Sequence, residues 1–235
     1  MLTLGIDLAS QPAFTAMCEI EWTSCSAHVR RLKMNCDDDE LDQAIQRAGA
    51  VGIDAPFGWP TAFVDAVAKW TSRTWNKPLR DRLRFRATDF ATRKITGRWP
   101  LSVSSDLIAL PAMRAMALLE RHDIADRSGG RFFEVYPAGS MNIWGITVSG
   151  YKGKSREARD RRTTLVKALK TRMPWLDGAE GCHEDDNMLD ALVASITTWQ
   201  AAEGATIPPD PEKKEQATRE GWIHLPCGIP RFPVP

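Results

Sequence analysis

The tripeptide Gly-Ile-Asp occurs twice, at residues 5–7 within LTLGIDLA and at 52–54 within AVGIDAP. Each time an aspartate closes an apolar run. A carboxylate inside such a run is costly to bury unless it is paired, protonated or bound to a metal. Leu2, Leu4, Ile6 and Leu8 alternate with Thr3, Gly5, Asp7 and Ala9, the period of a strand. Val51 and Ile53 likewise face away from Asp54. If the two strands are neighbours, their Cα atoms lie about 5 Å apart, and both carboxylates reach one ion.

The remaining pattern supports that placement. Residues 14 to 22 alternate again, and a rougher run covers 27 to 34, so the first three strands read as an antiparallel meander. Asp37 to Asp39 supply the N-cap and first-turn charge of a helix, LDQAIQRAG, ending at Gly49. A fourth strand, 50 to 54, follows that helix, and the crossover predicts a parallel neighbour to strand one. Residues 57 to about 130 lack strand character and read as an insertion: a helix near 61 to 72, an Arg-rich loop, and a helix near 111 to 121. RFFEVY, residues 131 to 136, is a fifth strand stopped by Pro137. A basic helix spans about 155 to 172, and a last helix about 185 to 202. The expected architecture is an α/β domain over residues 1–204, with a mixed five-stranded sheet flanked by helices. A Pro-rich tail, 205–235, holds a charged linker, EKKE, and an apolar patch, GWIHLP, expected to pack back on the body.

Composition narrows the function. A formal net charge of +1 excludes a chain that binds nucleic acid by bulk charge, so any basic surface is local. Five cysteines without a CxxC predict reduced thiols and a cytoplasmic location. No secretory signal and no membrane-length apolar run is read in the sequence.

A second acidic pair, Asp186 and Asp190, is four apart on the last helix and therefore on one face. Oxygen donors without His or Cys favour Mg²⁺ or Mn²⁺. Two such ions on shared carboxylates are the apparatus of in-line phosphoryl transfer. Glu134 on strand five is a further candidate: a ligand, an orienting base, or the partner of an Arg from the insert. Simpler roles stand beside these: IDAP as a turn signal, and Asp186 as a first-turn residue favoured by the helix dipole.

GIDLAS, IDAPFGWP, RATDFATR, EVYPA, YKG at 151 to 153, DNMLDAL and EGWIHLP, in that order, resemble an uncharacterised family of predicted nucleases with the RNase H-like fold. The resemblance implies three antiparallel strands followed by parallel ones. Its acids, on strand one, strand four and a C-terminal helix, fall on Asp7, Asp54, and Asp186 or Asp190. Asn187 stands where RNase H-like relatives often carry an acid three before the last one.

Ten cations, Lys69, Arg73, Lys77, Arg80, Arg82, Arg84, Arg86, Arg93, Lys94 and Arg98, crowd the insert beside Trp70, Trp75 and Trp99. Cations with aromatics suit phosphate contacts and base stacking, and equally a solvated helical cap. Alternation in RLRFR predicts Arg82, Arg84 and Arg86 on one side. YKGKS lacks the first glycine of a phosphate loop, because Val148 stands there; Lys152 and Lys154 at a helix start retain the capacity to bind phosphate. Cys182–His183 with His224 and Cys227 is a weak zinc pattern, and no hydrolase elbow or GxGxxG is present. The expected function is a Mg²⁺- or Mn²⁺-dependent nuclease with Asp7, Asp54 and Asp186 or Asp190 as ligands. Arg82, Arg84, Arg86, Arg93 and Lys152 would hold substrate. The rivals are an actin-like or kinase-like ATP phosphotransferase and a non-catalytic nucleic-acid or nucleotide-binding module. Oligomeric state is not legible.

Overall fold

A computed structural model describes residues 1–69, 75–146 and 149–232. Its centre is a mixed sheet of β1 (Leu2–Asp7), β2 (Ala16–Trp22), β3 (Ala27–Met34), β4 (Ala50–Asp54), β5 (Phe132–Glu134) and β6 (Leu176–Asp177), in the order β5-β4-β1-β2-β3-β6. The first three strands are antiparallel; β4 runs parallel to β1, and β5 parallel to β4. That is the arrangement expected of an RNase H-like α/β domain, with one strand more than the five predicted. The additional β6 is two residues long and pairs parallel with β3 at Ala27 and His28. Two residues carry no period, so the sequence holds no signal for it.

Helices cover both faces. The α1 (Asp38–Arg47) and α5 (Ala109–Arg121) helices close one core, where Leu4, Ile6, Val51 and Ile53 meet Leu41, Ile45, Leu118 and Leu119. Asp37 caps α1 by accepting from Glu40 N at 2.9 Å, as its acidic start predicts. On the other face, α6 (Pro137–Ile143), α7 (Arg156–Arg172) and α8 (Asp186–Ala202) pack on β2 and β3 through Cys18, Ile20, Trp22, Trp144, Leu165 and Leu192. Pro137 stops β5 and also opens α6, because proline's fixed φ suits the first helical position.

The two Gly-Ile-Asp glycines let α8 lie directly on the sheet. A Cβ on Gly5 would stand 2.2 Å from both Ala191 O and Ser195 N, and one on Gly52 would stand 1.8 Å from Thr198 Oγ1. Thr3, on the same face, bonds Ser195 Oγ at 2.8 Å. Gly5→Ala therefore meets helix backbone that cannot rotate away. The expected cost is about 1–3 kcal/mol, the usual range for overpacking, read as a lower urea midpoint at unchanged slope. An unchanged midpoint would show that α8 does not rest on Gly5.

The regular elements of the insertion's described part are helices, α2 (Thr61–Lys69), α3 (Lys77–Arg84) and α4 (Ala87–Thr96) preceding α5, joined by irregular connections. The stretch expected to be an Arg-rich loop is α3 and the start of α4. Trp70, Arg73 and Val148 lie outside the described residues. The tail is less extended than its prolines imply. Its EKKE segment enters α9 (Lys214–Glu220), and Trp222, Ile223 and Leu225 are buried. Ile223 bridges to Glu134, adding one residue of pairing beyond β5. Among the described residues no helix is long and apolar enough to cross a membrane. Cys18, Cys36 and Cys182 are buried free thiols, while Cys25 and Cys227 are exposed.

Candidate active site

Parallel pairing aligns Asp7 with Asp54, residue for residue, at the C-terminal ends of β1 and β4. Both stand on the face covered by α8, since each shares that face with the glycine two before it. Among the described residues neither carboxylate has a hydrogen bond or an ion pair. Asp190, 1 % exposed, hangs from α8 one residue before Ala191, the residue seated on Gly5. Its Oδ1 accepts from Tyr151 Oη at 2.9 Å, and its Oδ2 takes the Lys152 ammonium.

Burial raises the pKa of all three carboxylates, and at Asp7 and Asp54 the charge of Asp190 adds to it. Burial pushes Asp7 well up, and the charges of Asp190 and Asp54 add to it, against Lys152. Burial and then Asp190 push Asp54 up to about 7, again opposed by Lys152. Asp190 is raised by burial although Lys152 and Tyr151 pull it down. For Lys152 burial acts downward, and the three carboxylates outweigh it, so its pKa rises.

A raised carboxylate pKa means that folding disfavours the ionised form. The stability linked to Asp54 is full below the unfolded value near 4 and is lost as pH rises through about 7. With chelator present, urea unfolding should thus show stability falling from about pH 5 to about pH 7, with a shallower fall in Asp54→Asn. Identical slopes in the two proteins would contradict this. A divalent cation reverses the trend, because it competes with protons for the same oxygens.

The three acids open into a pocket of about 360 Å³. Trp99, Pro100, Leu101 and Ile108 from the connection between α4 and α5 wall one side, and Ile223 of the tail contributes to the lining. Both tyrosines of the chain, Tyr136 and Tyr151, line it. Burial and the charge of Asp54 raise the Tyr136 pKa, keeping the phenol protonated. Trp99 stacks on Phe85 at 3.9 Å between centroids, and Arg93 lies over its ring at 5.9 Å.

The other candidates are placed differently. Asp186 does not line the pocket; it starts α8 and accepts from Gly153 N at 3.1 Å, with Arg162 at 3.9 Å. Glu134 is aligned with Ile53, not Asp54, and so lies on the opposite sheet face. It still borders the pocket, and its oxygens accept from Arg86 at 2.7 and 2.8 Å and from Phe57 N at 2.9 Å, which makes it the partner of an insert arginine. Arg86 is 1 % exposed and also bonds Asp89, so it is no substrate contact despite bordering the pocket. The shared face expected for Arg82, Arg84 and Arg86 does not exist. Arg82 and Arg84 end α3 two residues apart, roughly 200° around a helix, and Arg86 follows the break at Phe85. Arg82 and Arg93 are exposed outside the pocket lining, and Arg84 bonds Ser105 at 3.2 Å. Lys152 precedes the Ser155 cap of α7, so the dipole of that helix is not what holds it. The zinc pattern fails: both ring nitrogens of His224 are bonded, to Thr206 Oγ1 and Ser128 O at 3.0 Å, and Cys182 lies in the core.

Tyr136 and Tyr151 are the contributors that residue-level reasoning passed over, although EVYPA and YKG contain them. Among the described residues no three His, Cys, Asp or Glu side chains form a ready-made metal cage. The donor chemistry nevertheless fits a hard cation. Two adjacent carboxylates have no partner among the described residues, and the third is matched to a cation that belongs to the chain, Lys152.

The family model described as a protein of unknown function, DUF429, matches residues 5–213. No curated protein and no solved structure matches the chain.

Proposed function

We propose that this chain, which belongs to the DUF429 family of proteins of unknown function, is a metal-dependent phosphodiesterase acting on nucleic acid. The carrying observation is that Asp7 and Asp54, aligned on adjacent strands, face a pocket with no partner for either carboxylate among the described residues. Both are half-buried, and two neighbouring carboxylates at a pocket wall repel each other unless a cation from outside the chain compensates them. The donor set suits one Mg²⁺ or Mn²⁺ shared by Asp7 and Asp54, and a second that includes Asp190. Bound there, such ions supply Lewis acidity toward a phosphate and lower the pKa of a coordinated water.

The chain's own groups supply the rest. Lys152 places an ammonium at the acidic end of the pocket, where a scissile phosphate carries negative charge. Tyr136 offers a protonated phenol in the same lining, and Trp99 an indole for stacking one base. At about 360 Å³ the pocket sits near the lower end of small-molecule sites, about 300–1,000 Å³, and suits one nucleotide unit rather than a duplex. Arg82, Arg93 and Lys94 of the insert are exposed, outside the pocket lining, and are available as phosphate contacts for the rest of a strand.

The test is cleavage of labelled single-stranded, duplex and RNA–DNA hybrid substrates with Mg²⁺ or Mn²⁺, beside Asp54→Asn. Metal-dependent cleavage of the single strand, lost in the variant, is the expected result. Cleavage that survives Asp54→Asn would overturn the assignment. One observation favours a second reading, a non-catalytic nucleotide-binding module: Asp190 is already satisfied by Lys152 and Tyr151. Binding of nucleotide without turnover under every metal condition would establish that reading instead.

A further inference from the structure

The three carboxylates are not equivalent. Asp7 and Asp54 have both oxygens free of protein partners among the described residues, whereas Asp190 has both engaged, by Tyr151 and Lys152. Those two residues are adjacent, so one short segment holds the third acid. The backbone of that segment is anchored. Arg162, 2 % exposed, donates to Tyr151 O at 2.7 Å and Gly153 O at 2.8 Å, clamping the carbonyls on either side of Lys152. Gly150 and Gly153 complete the turn with φ of 71° and 99°, in the left-handed region that favours glycine. The Lys152 side chain, by contrast, is 58 % exposed although its ammonium reaches Asp190. A fixed base under a solvent-swept stem lets the ammonium exchange partners without moving the loop.

On the reading of the site as a metal-dependent phosphodiesterase, we propose that Lys152 is a latch. Its ammonium pairs with Asp190 and transfers to the substrate phosphate on binding, which releases Asp190 for the cation. Lys152 is then a positioning residue toward the metal, acting through Asp190, and a binding residue toward the phosphate. The physical content is competition. An ammonium and a divalent ion are alternative cations for one carboxylate, and a phosphate is an alternative anion for the ammonium. Metal and phosphate therefore strengthen each other's binding, and by linkage they do so by the same factor. The order of events follows. Metal alone binds weakly, through Asp7 and Asp54, and the complete ligand set forms only with substrate in place.

Mn²⁺ titration by calorimetry, without turnover, tests this on the full chain. A deoxynucleoside 5′-monophosphate should tighten Mn²⁺ binding to the parent protein by about tenfold or more. Lys152→Met should bind Mn²⁺ alone about ten- to a hundredfold more tightly than the parent, the factor that a charge-assisted hydrogen bond carries. It should also lose the effect of the nucleotide. Arg98→Met removes a cation near Tyr136 that makes no hydrogen bond to Asp190, and should change Mn²⁺ affinity far less. The latch is overturned if Lys152→Met binds Mn²⁺ no more tightly. It is equally overturned if Arg98→Met matches it, which would mean that net charge alone acts, or if the nucleotide has no effect on the parent. Failure of the underlying site looks different: adding Asp7→Asn to Lys152→Met would then leave Mn²⁺ binding unchanged.

Discussion

On the proposed function, Asp7→Asn should abolish metal-dependent cleavage and leave a more stable protein. The loss should be at least about 100-fold in kcat/KM, because even residues that only orient metal ligands cost about 10–100-fold when removed. The gain follows from the apo site. Asp7 is held well above its ordinary pKa by burial and by Asp190 and Asp54, so its ionised form opposes folding at neutral pH. Asparagine keeps the shape and removes the charge. Its expected gain is about 0.5–2 kcal/mol at pH 8 with chelator present, within the range of ordinary stabilising substitutions. The gain should shrink as pH falls, since the aspartate then protonates and becomes nearly isosteric and isoelectric with asparagine. Saturating Mn²⁺ should invert the comparison, because only the parent then gains binding energy. A variant less stable than the parent under chelation would show that Asp7 serves the fold and not a ligand.

Arg86→Met should be the most destabilising single substitution outside the hydrophobic cores. Arg86 is fully buried and bonds Asp89 through two nitrogens, Glu134 through two, and Glu220 O at 3.1 Å. The charges of Asp89 and Glu134 hold its pKa above the ordinary arginine value despite burial. Removing it strands two carboxylates in a water-poor interior, which costs about 3–5 kcal/mol for a buried pair broken from one side. At about 2–4 °C per kcal/mol for a chain of this size, the melting temperature should fall by about 6–20 °C. Glu134→Gln combined with Arg86→Met should recover part of that loss, because it removes one of the orphaned charges. A drop below about 1 kcal/mol would show that water reaches the network. The network also carries geometry toward the site: Glu134 fixes Phe57 N just past Asp54, and Glu220 receives Ala87 N at the start of α4.

The parts of the fold legible in the sequence are those with a period and a boundary. The β1 and β4 strands show both, and their parity alone put Asp7 and Asp54 on one face, as the register has it. The α1 helix was marked by the Asp37 cap. What was not legible depends on partners distant in the chain. Arg86 looks like one more cation in a basic run, and only the fold brings it to Glu134, 48 residues on. The RLRFR alternation imitates a strand, but a helix end followed by an extended phenylalanine produces the same string. The choice between Asp186 and Asp190 could not be made from their spacing, which puts both on one helical face. The fold separates them: Asp190 lines the pocket, held by Tyr151 and Lys152, whereas Asp186 starts α8 outside it. The glycines before Asp7 and Asp54 were visible as a repeat, yet the helix residues they admit, Ala191 over Gly5 and Thr198 over Gly52, come only near the end of the chain.

That last separation bears on biosynthesis. Thr3 and Ser195 touch across 192 residues, and Ile223 joins the pocket from later still. The meander β1–β3 can pair as soon as it is made, while the third acid and part of the lining arrive near the end of translation. Such long-range closure slows folding relative to local contacts. It also means that a growing chain carries Asp7 and Asp54 without Asp190. On the proposed reading, a nuclease assembled in this order emerges beside ribosomal RNA and its own message with its chemistry still incomplete.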